Sequence, residues 1–126
     1  MNHLLLVAVG GAVGAALRHV ANTLSLRLFG ADFPWGTLFV NIAGSLAIGL
    51  LIGWLARRAG GSPNEIRLFL ATGVLGGFTT FSAFSLDFAM LWERGAIVGA
   101  AAYVLASVLV SLAAVFVGLW LMRGAL

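Results

Sequence analysis

Several short patterns in the chain bring together side chains that could do chemistry. Thr37, Asn41 and Ser45 recur every four residues, so on a helix they form one polar stripe. Tyr103, Ser107 and Ser111 repeat that spacing near the C-terminus. Between them lies Gly73-Val74-Leu75-Gly76-Gly77-Phe78-Thr79-Thr80, followed by Phe81 and Phe84, which share a face if the chain is helical there. Arg18 stands at the end of a long apolar run. Amides and hydroxyls donate hydrogen bonds and carry no fixed charge. The positive edge of a phenyl ring can also face an anion. A small hard anion gives up its tightly held water only to several short hydrogen bonds, and these groups can supply them. Conduction requires binding that is weak or multi-site, so arginine belongs at the mouth of a path and not in its narrowest part. The inventory fits a small-anion conductor. Fluoride is allowed but not singled out.

Each feature also has a plain structural reading. Asn41 could glue two helices together. Each serine hydroxyl could bond the carbonyl one turn back. Arg18 could snorkel to a membrane face, and the phenylalanines could be packing. His19 reads as an interfacial residue.

Other chemistries are poorly provided for. The sequence has no cysteine, and His3 and His19 are too far apart to ligate a metal from one helical turn. Asp32 and Glu93 fall in loops and Asp87 closes the third apolar run, which leaves no carboxylate in the middle of a span. Proton-coupled pumps and cation pathways usually need such an acid. All seven basic residues are arginines scattered along the chain, with no basic stripe to follow a nucleic-acid backbone.

The elements that position these groups follow from composition. The chain has 126 residues, 62% of them apolar before its 17 glycines are counted, and only 9% charged. Soluble domains carry about 25% charged residues. These values exclude a soluble enzyme and a disordered chain and point to an all-α membrane protein. Residues 1–17, 33–56, 68–86 and 95–122 carry no charge. A helix needs about 20 residues to cross the hydrocarbon. Four helices are expected in a single transmembrane domain over 1–126, with spans near 4–28, 34–57, 64–90 and 95–122. The third is expected to break in mid-membrane near 76–80, because Gly76-Gly77 favours non-helical backbone and Thr79-Thr80 can satisfy the freed groups. The N-terminal run lacks a basic leader and reads as retained.

Pro34 suits a helix start, and Ser62-Pro63-Asn64-Glu65 reads as a capping box. Trp35, Trp54, Trp92 and Trp120 fall near span ends, as an aromatic belt requires. Gly10/Gly14, Gly49/Gly53, Gly73/Gly77 and Gly95/Gly99 have the spacing for close helix approach. Arg57, Arg58, Arg67 and Arg123 share one side with the termini, against Arg27 and Arg94 on the other. So weak a bias leaves open one inserted orientation or both. Four short helices leave little room for an aqueous path, so an oligomer is expected.

Three segments carry a family resemblance. Gly11-Ala12-Val13-Gly14-Ala15-Ala16-Leu17-Arg18, Gly36-Thr37-Leu38-Phe39-Val40-Asn41-Ile42-Ala43-Gly44 and Gly73 through Ser85 resemble the signatures of the Fluc (CrcB) family of bacterial fluoride channels. The resemblance covers nearly the whole chain. It implies a passive, fluoride-selective channel of the bacterial inner membrane that exports cytoplasmic fluoride. It also implies an antiparallel, dual-topology homodimer with two pores at the subunit interface. By this resemblance Asn41 is the pore amide, and Phe81 and Phe84 face fluoride. Ser111 belongs to a hydroxyl track, with Tyr103 and Ser107 beside it. Gly76 and Thr79 offer backbone carbonyls to one structural, untransported sodium ion at the dimer centre, and Arg18 sits near the vestibule. The implied partners are fluoride, the lipid bilayer and a second identical chain, with no nucleic acid and no organic cofactor.

Two departures stand out. Ala83 and Val115 occupy places where the family often has threonine, which removes hydroxyls from the track. The alternative is a small dual-topology, multidrug-type proton-coupled exporter. It wants an acid in the first helix, where the sequence has none.

Overall fold

The computed structural model describes residues 2–58 and 64–124. Four helical segments in it are long and apolar enough to cross a membrane. In lipid every backbone N–H and C=O must find its partner within the segment, which makes helix the default for runs this apolar. The first helix covers His3–Phe29 and starts where the Asn2 side chain accepts the Leu5 N–H. It stops at Gly30, which takes a positive φ of 79° and returns its N–H to Leu26 O. The second helix, Trp35–Arg57, follows directly on Pro34, which caps it and does not form its first turn. The expected Ser62-Pro63 cap lies outside the described residues.

The third span is irregular in two ways. It begins as α-helix over Asn64–Arg67, widens to π-helix over Leu68–Leu75, and returns to α for Gly76–Phe78. It then breaks at Thr79 and Thr80, both extended, and restarts as Phe81–Glu93. The break therefore falls on the threonines. Gly76, expected to leave helical geometry, keeps it at φ −62° and ψ −37°. The glycine pair serves close packing instead: a Cβ on Gly77 would sit 2.5 Å from Gly11 O. The π-helical stretch has no counterpart in the sequence reading. π-Bulges occur often at functional sites. After the Arg94-Gly95-Ala96 turn, the last helix runs Ile97–Gly124.

The helices pack as two close pairs. Gly10 and Gly14 of the first helix meet Gly73 and Gly77 of the third span backbone to backbone, and a Cβ on Gly14 would land on Val74 O. Gly49 and Gly53 of the second helix receive the last helix at Gly118 and Met122. The fourth expected pair does not form a packing seam. Gly95 takes φ 84° in the turn, and a Cβ on Gly99 would make only ordinary contact with Ala96. A compact core joins the two pairs at one end. There Leu38, Leu91, Ala100 and Tyr103 are buried, with Phe33, Phe84 and Phe88 packed around them. Arg94 ties the two loops at this end by donating Nη2–H to Asp32 O. All four tryptophans sit exposed near helix ends. Large apolar side chains cover the outside from Leu4 to Leu121, the reverse of a soluble domain and the expected finish for a surface facing lipid.

Candidate pore site

The break in the third span is held from both sides. When a helix stops, its last carbonyls and the first N–H groups of the next helix lose their partners. Leu75 O takes the Thr79 N–H at 3.0 Å and the Thr79 hydroxyl at 3.0 Å. Gly77 O accepts from Arg18 Nε at 3.0 Å. Thr80 gives its N–H to Asn41 Oδ1 at 2.8 Å, and Asn41 Nδ2–H returns a bond to Thr80 O at 3.0 Å. Thr80 Oγ1 then accepts the Ala83 N–H at 3.1 Å and caps the second half. Asn41 thus joins two helices, and the bond is specific: it fastens the second helix to the break itself. Sequence reasoning did not place Thr80 in the site. Its signal was present in the Thr-Thr pair, whose side chains can serve a helix stop and a helix start at once.

A cavity of about 450 Å³ opens beside this break. Asn41, Gly76, Thr79, Phe81, Phe84, Ser107 and Ser111 all line it, so it gathers most of the residues singled out in the sequence. Ser45 and Thr80 line it too, and among the described residues no charged side chain does. The hydroxyl oxygens of Ser107 and Ser111 are buried and have no hydrogen-bond partner. The alternative in which each serine bonds a carbonyl one turn back is therefore not what forms. That bond does form at Ser85, whose hydroxyl reaches Phe81 O at 3.0 Å. Two buried hydroxyls without partners are costly, and both face the same apolar-walled space.

Phe81 and Phe84 lie on one face of the restarted helix with ring centroids 5.5 Å apart. Phe81 is 77% exposed, and Phe84 packs inward on Tyr103 at 5.1 Å. Tyr103 is fully buried behind Phe84 and does not reach the cavity lining. Its hydroxyl donates to Asp87 Oδ2 at 3.1 Å. Asp87 closes the third charge-free run of the sequence. The helix in fact continues to Glu93, about two turns further, and the half-buried carboxylate packs against the core.

The arrangement is mixed electrically. The restarted helix points its N-terminus, a partial positive charge, at the break, while the first half ends there with its carbonyls. Because the Thr80 N–H turns to Asn41, the Gly76 carbonyl loses its helical donor. Gly76 and Thr79 offer neutral oxygens, the donor type that hard cations take. Among the described residues no group of three or more His, Cys, Asp or Glu could hold a metal, so a cation here would rest on carbonyls. The same break lines the cavity with the Thr80 hydroxyl and the Phe81 and Phe84 rings, groups that can face an anion.

Known proteins match along the whole chain. Residues 5–119 match the family described as CrcB-like protein, Camphor Resistance (CrcB). A protein of Chelativorans sp. named fluoride-specific ion channel FluC is 64% identical over 126 residues, covering 100% of both chains. One of the same name from Mesorhizobium japonicum is 61% identical over 123 residues, covering 98% of each. Another from Hyphomonas neptunium is 58% identical, covering 98% of this chain and 97% of its own. With a four-span fold, a break pinned by Asn41 and Arg18, and relatives this similar end to end, the chain belongs to the CrcB-like family.

Proposed function

We propose that this chain is a fluoride-selective ion channel, not an enzyme, which lets fluoride leave the bacterial cytoplasm passively across the inner membrane. The observation that carries the reading is the cavity beside the break. Its lining carries the buried, unpartnered hydroxyls of Ser107 and Ser111 together with Asn41, Phe81 and Phe84, and among the described residues no charged side chain. Such a lining replaces the water of a small anion by many weak donors and leaves it free to move on. The names of the relatives agree with this reading. A proton-coupled exporter finds no support, since the first helix carries no acid to couple protons.

The working unit in this reading is an antiparallel homodimer of two dual-topology chains, each a single transmembrane domain over 1–126. The cavity is open along one side, and Phe81 projects from the single chain; a second copy would close the wall. Two pores would then run along the interface, with Asn41, Phe81, Phe84, Ser107 and Ser111 facing fluoride, Tyr103 behind them and Arg18 near the vestibule. Gly76 and Thr79 carbonyls from both copies would surround one structural sodium ion, for which the two oxygens of one chain are too few. No organic cofactor is required.

Fluoride release from loaded proteoliposomes, followed with a fluoride electrode, tests the reading. Fast fluoride efflux with hardly any chloride efflux is expected; equal chloride efflux, or no efflux of either ion, overturns it. Single cysteines in the two loop faces test the dual topology. Each should be labelled from both sides of the membrane.

A further inference from the structure

Asp87 is the acidic group that lies within a described helix and touches a buried aromatic ring. Phe84 and Asp87 are three residues apart, so they project from one face of the restarted helix. Tyr103, across from them on the last helix, meets both at once. Its ring lies 5.1 Å from that of Phe84, and its hydroxyl donates to Asp87 Oδ2 at 3.1 Å. Phe33 also packs on the Tyr103 ring in an edge-to-face arrangement, at 5.5 Å and 85°. The ring thus has two aromatic neighbours and a carboxylate at its tip, with 0% exposure.

The geometry points to Asp87 as a positioning residue for the anion path: through Tyr103 it fixes the orientation of Phe84. The inference rests on the proposed reading in which Phe84 presents its edge to fluoride. The attraction between an anion and a ring holds at the positive edge and turns to repulsion at the negative face. A small rotation of Phe84 therefore changes how well it receives an anion. Phe81 is held on one side only by Phe84 and is otherwise exposed, so Phe84 is the ring whose direction the protein can set. Tyr103 sets it by packing. The hydrogen bond to Asp87 keeps Tyr103 from turning, and a carboxylate acceptor makes that bond stronger than a neutral one.

The experiment compares Asp87→Asn, Asp87→Leu, Tyr103→Phe and the Asp87→Leu/Tyr103→Phe pair in fluoride-loaded proteoliposomes, over a range of fluoride concentrations. Asp87→Asn keeps an acceptor for the phenol and should conduct at nearly the wild-type rate. Asp87→Leu should slow efflux about tenfold, the factor set by losing one hydrogen bond to a charged group. Tyr103→Phe keeps the ring and removes only the hydroxyl; it should slow efflux by a similar factor, and the pair no further. In these variants the half-saturating fluoride concentration should rise and the preference over chloride should fall. A variant that merely lost folded protein would show a lower rate at unchanged half-saturation, and that pattern overturns the inference. So do multiplying effects in the pair, or Asp87→Asn running several-fold faster than wild type, which would mean that the charge acts by repulsion. If Asp87→Leu does not fold, Tyr103→Phe decides alone, and wild-type behaviour there overturns the inference. Failure of the underlying reading looks different: wild-type protein would then pass no fluoride, or Phe84→Ile would conduct like wild type.

Discussion

Asn41 and Thr80 hold each other through a closed pair of hydrogen bonds, Thr80 N–H to Asn41 Oδ1 at 2.8 Å and Asn41 Nδ2–H to Thr80 O at 3.0 Å. One amide side chain replaces the two backbone partners that Thr80 gives up by leaving the helix. The break is therefore a paired structure, and it stays where the second helix fixes it. Three of the four hydrogen-bonding positions of a primary amide remain after these bonds are considered singly; after both, Asn41 keeps one N–H and one lone pair for the cavity it lines.

Asn41→Ala should remove both bonds and leave two part-buried backbone groups unpaired, at about 1–3 kcal/mol each. Asn41→Asp keeps the acceptor for Thr80 N–H but sets a carboxylate against Thr80 O and places a charge in the cavity. Both should lower the thermal midpoint in detergent and slow fluoride efflux at least tenfold. Wild-type efflux from Asn41→Asp would remove the residue from the conduction path.

Phe81 and Phe84 should separate stability from conduction. Phe81 is exposed in the single chain and makes one ring contact, with Phe84, so Phe81→Ile should cost only about 0.5–1.5 kcal/mol. Phe84→Ile loses two ring contacts, worth about 0.5–1.5 kcal/mol each, and should be the less stable variant. Efflux should fall in both while the oligomer persists on gel filtration. Unchanged efflux in either would return that residue to packing.

Ser107→Ala and Ser111→Ala should move stability and conduction in opposite directions. Each hydroxyl is buried without a partner, a state that costs about 1–3 kcal/mol. Replacing it by a methyl group should raise the thermal midpoint, while fluoride efflux falls because the anion loses a donor. A fall in both would mean that the hydroxyls are bonded in the assembled protein, and a rise in stability with unchanged efflux would make them idle.

Much of this was readable from residue order, for a physical reason. Backbone pairing in lipid leaves few options, so each charge-free run marks a helix, although the first helix runs on past Arg18 to Phe29 and the third span from Asn64 to Glu93. Four-residue spacing then brought Asn41, Ser107 and Ser111 to one cavity. The break falls within the expected 76–80, on Thr79-Thr80, while Gly76-Gly77 stays helical. Glycine is permissive, and what ended the helix was the competition of Asn41 for the Thr80 backbone, 39 residues distant in sequence. The π-helical stretch at Leu68–Leu75 leaves no mark in its composition, because it depends on how the third span packs against the first. A charge at the edge of an apolar run reads as a span end, so the sequence does not show that Asp87 meets a buried ring. Its partner, Tyr103, lies 16 residues away on the last helix.

The seam between the first helix and the third span gives the last prediction. Gly14 and Arg18 lie four apart on one helix face: Gly14 lets the backbones touch, and Arg18 reaches over to Gly77 O at 3.0 Å. A Cβ on Gly14 would occupy the place of Val74 O, and backbone cannot swing aside as a side chain can. Gly14→Ala must therefore push the first helix outward and stretch the Arg18 bond with it. It should cost more than about 3 kcal/mol, in the range of severe overpacking, and abolish efflux. Gly99→Ala meets only ordinary contact and should gain up to about 1 kcal/mol of helix propensity, with efflux unchanged. The pair is read by thermal unfolding and by efflux from the same preparations. Equal behaviour of the two variants would show that glycine content, and not close approach at this seam, governs the fold.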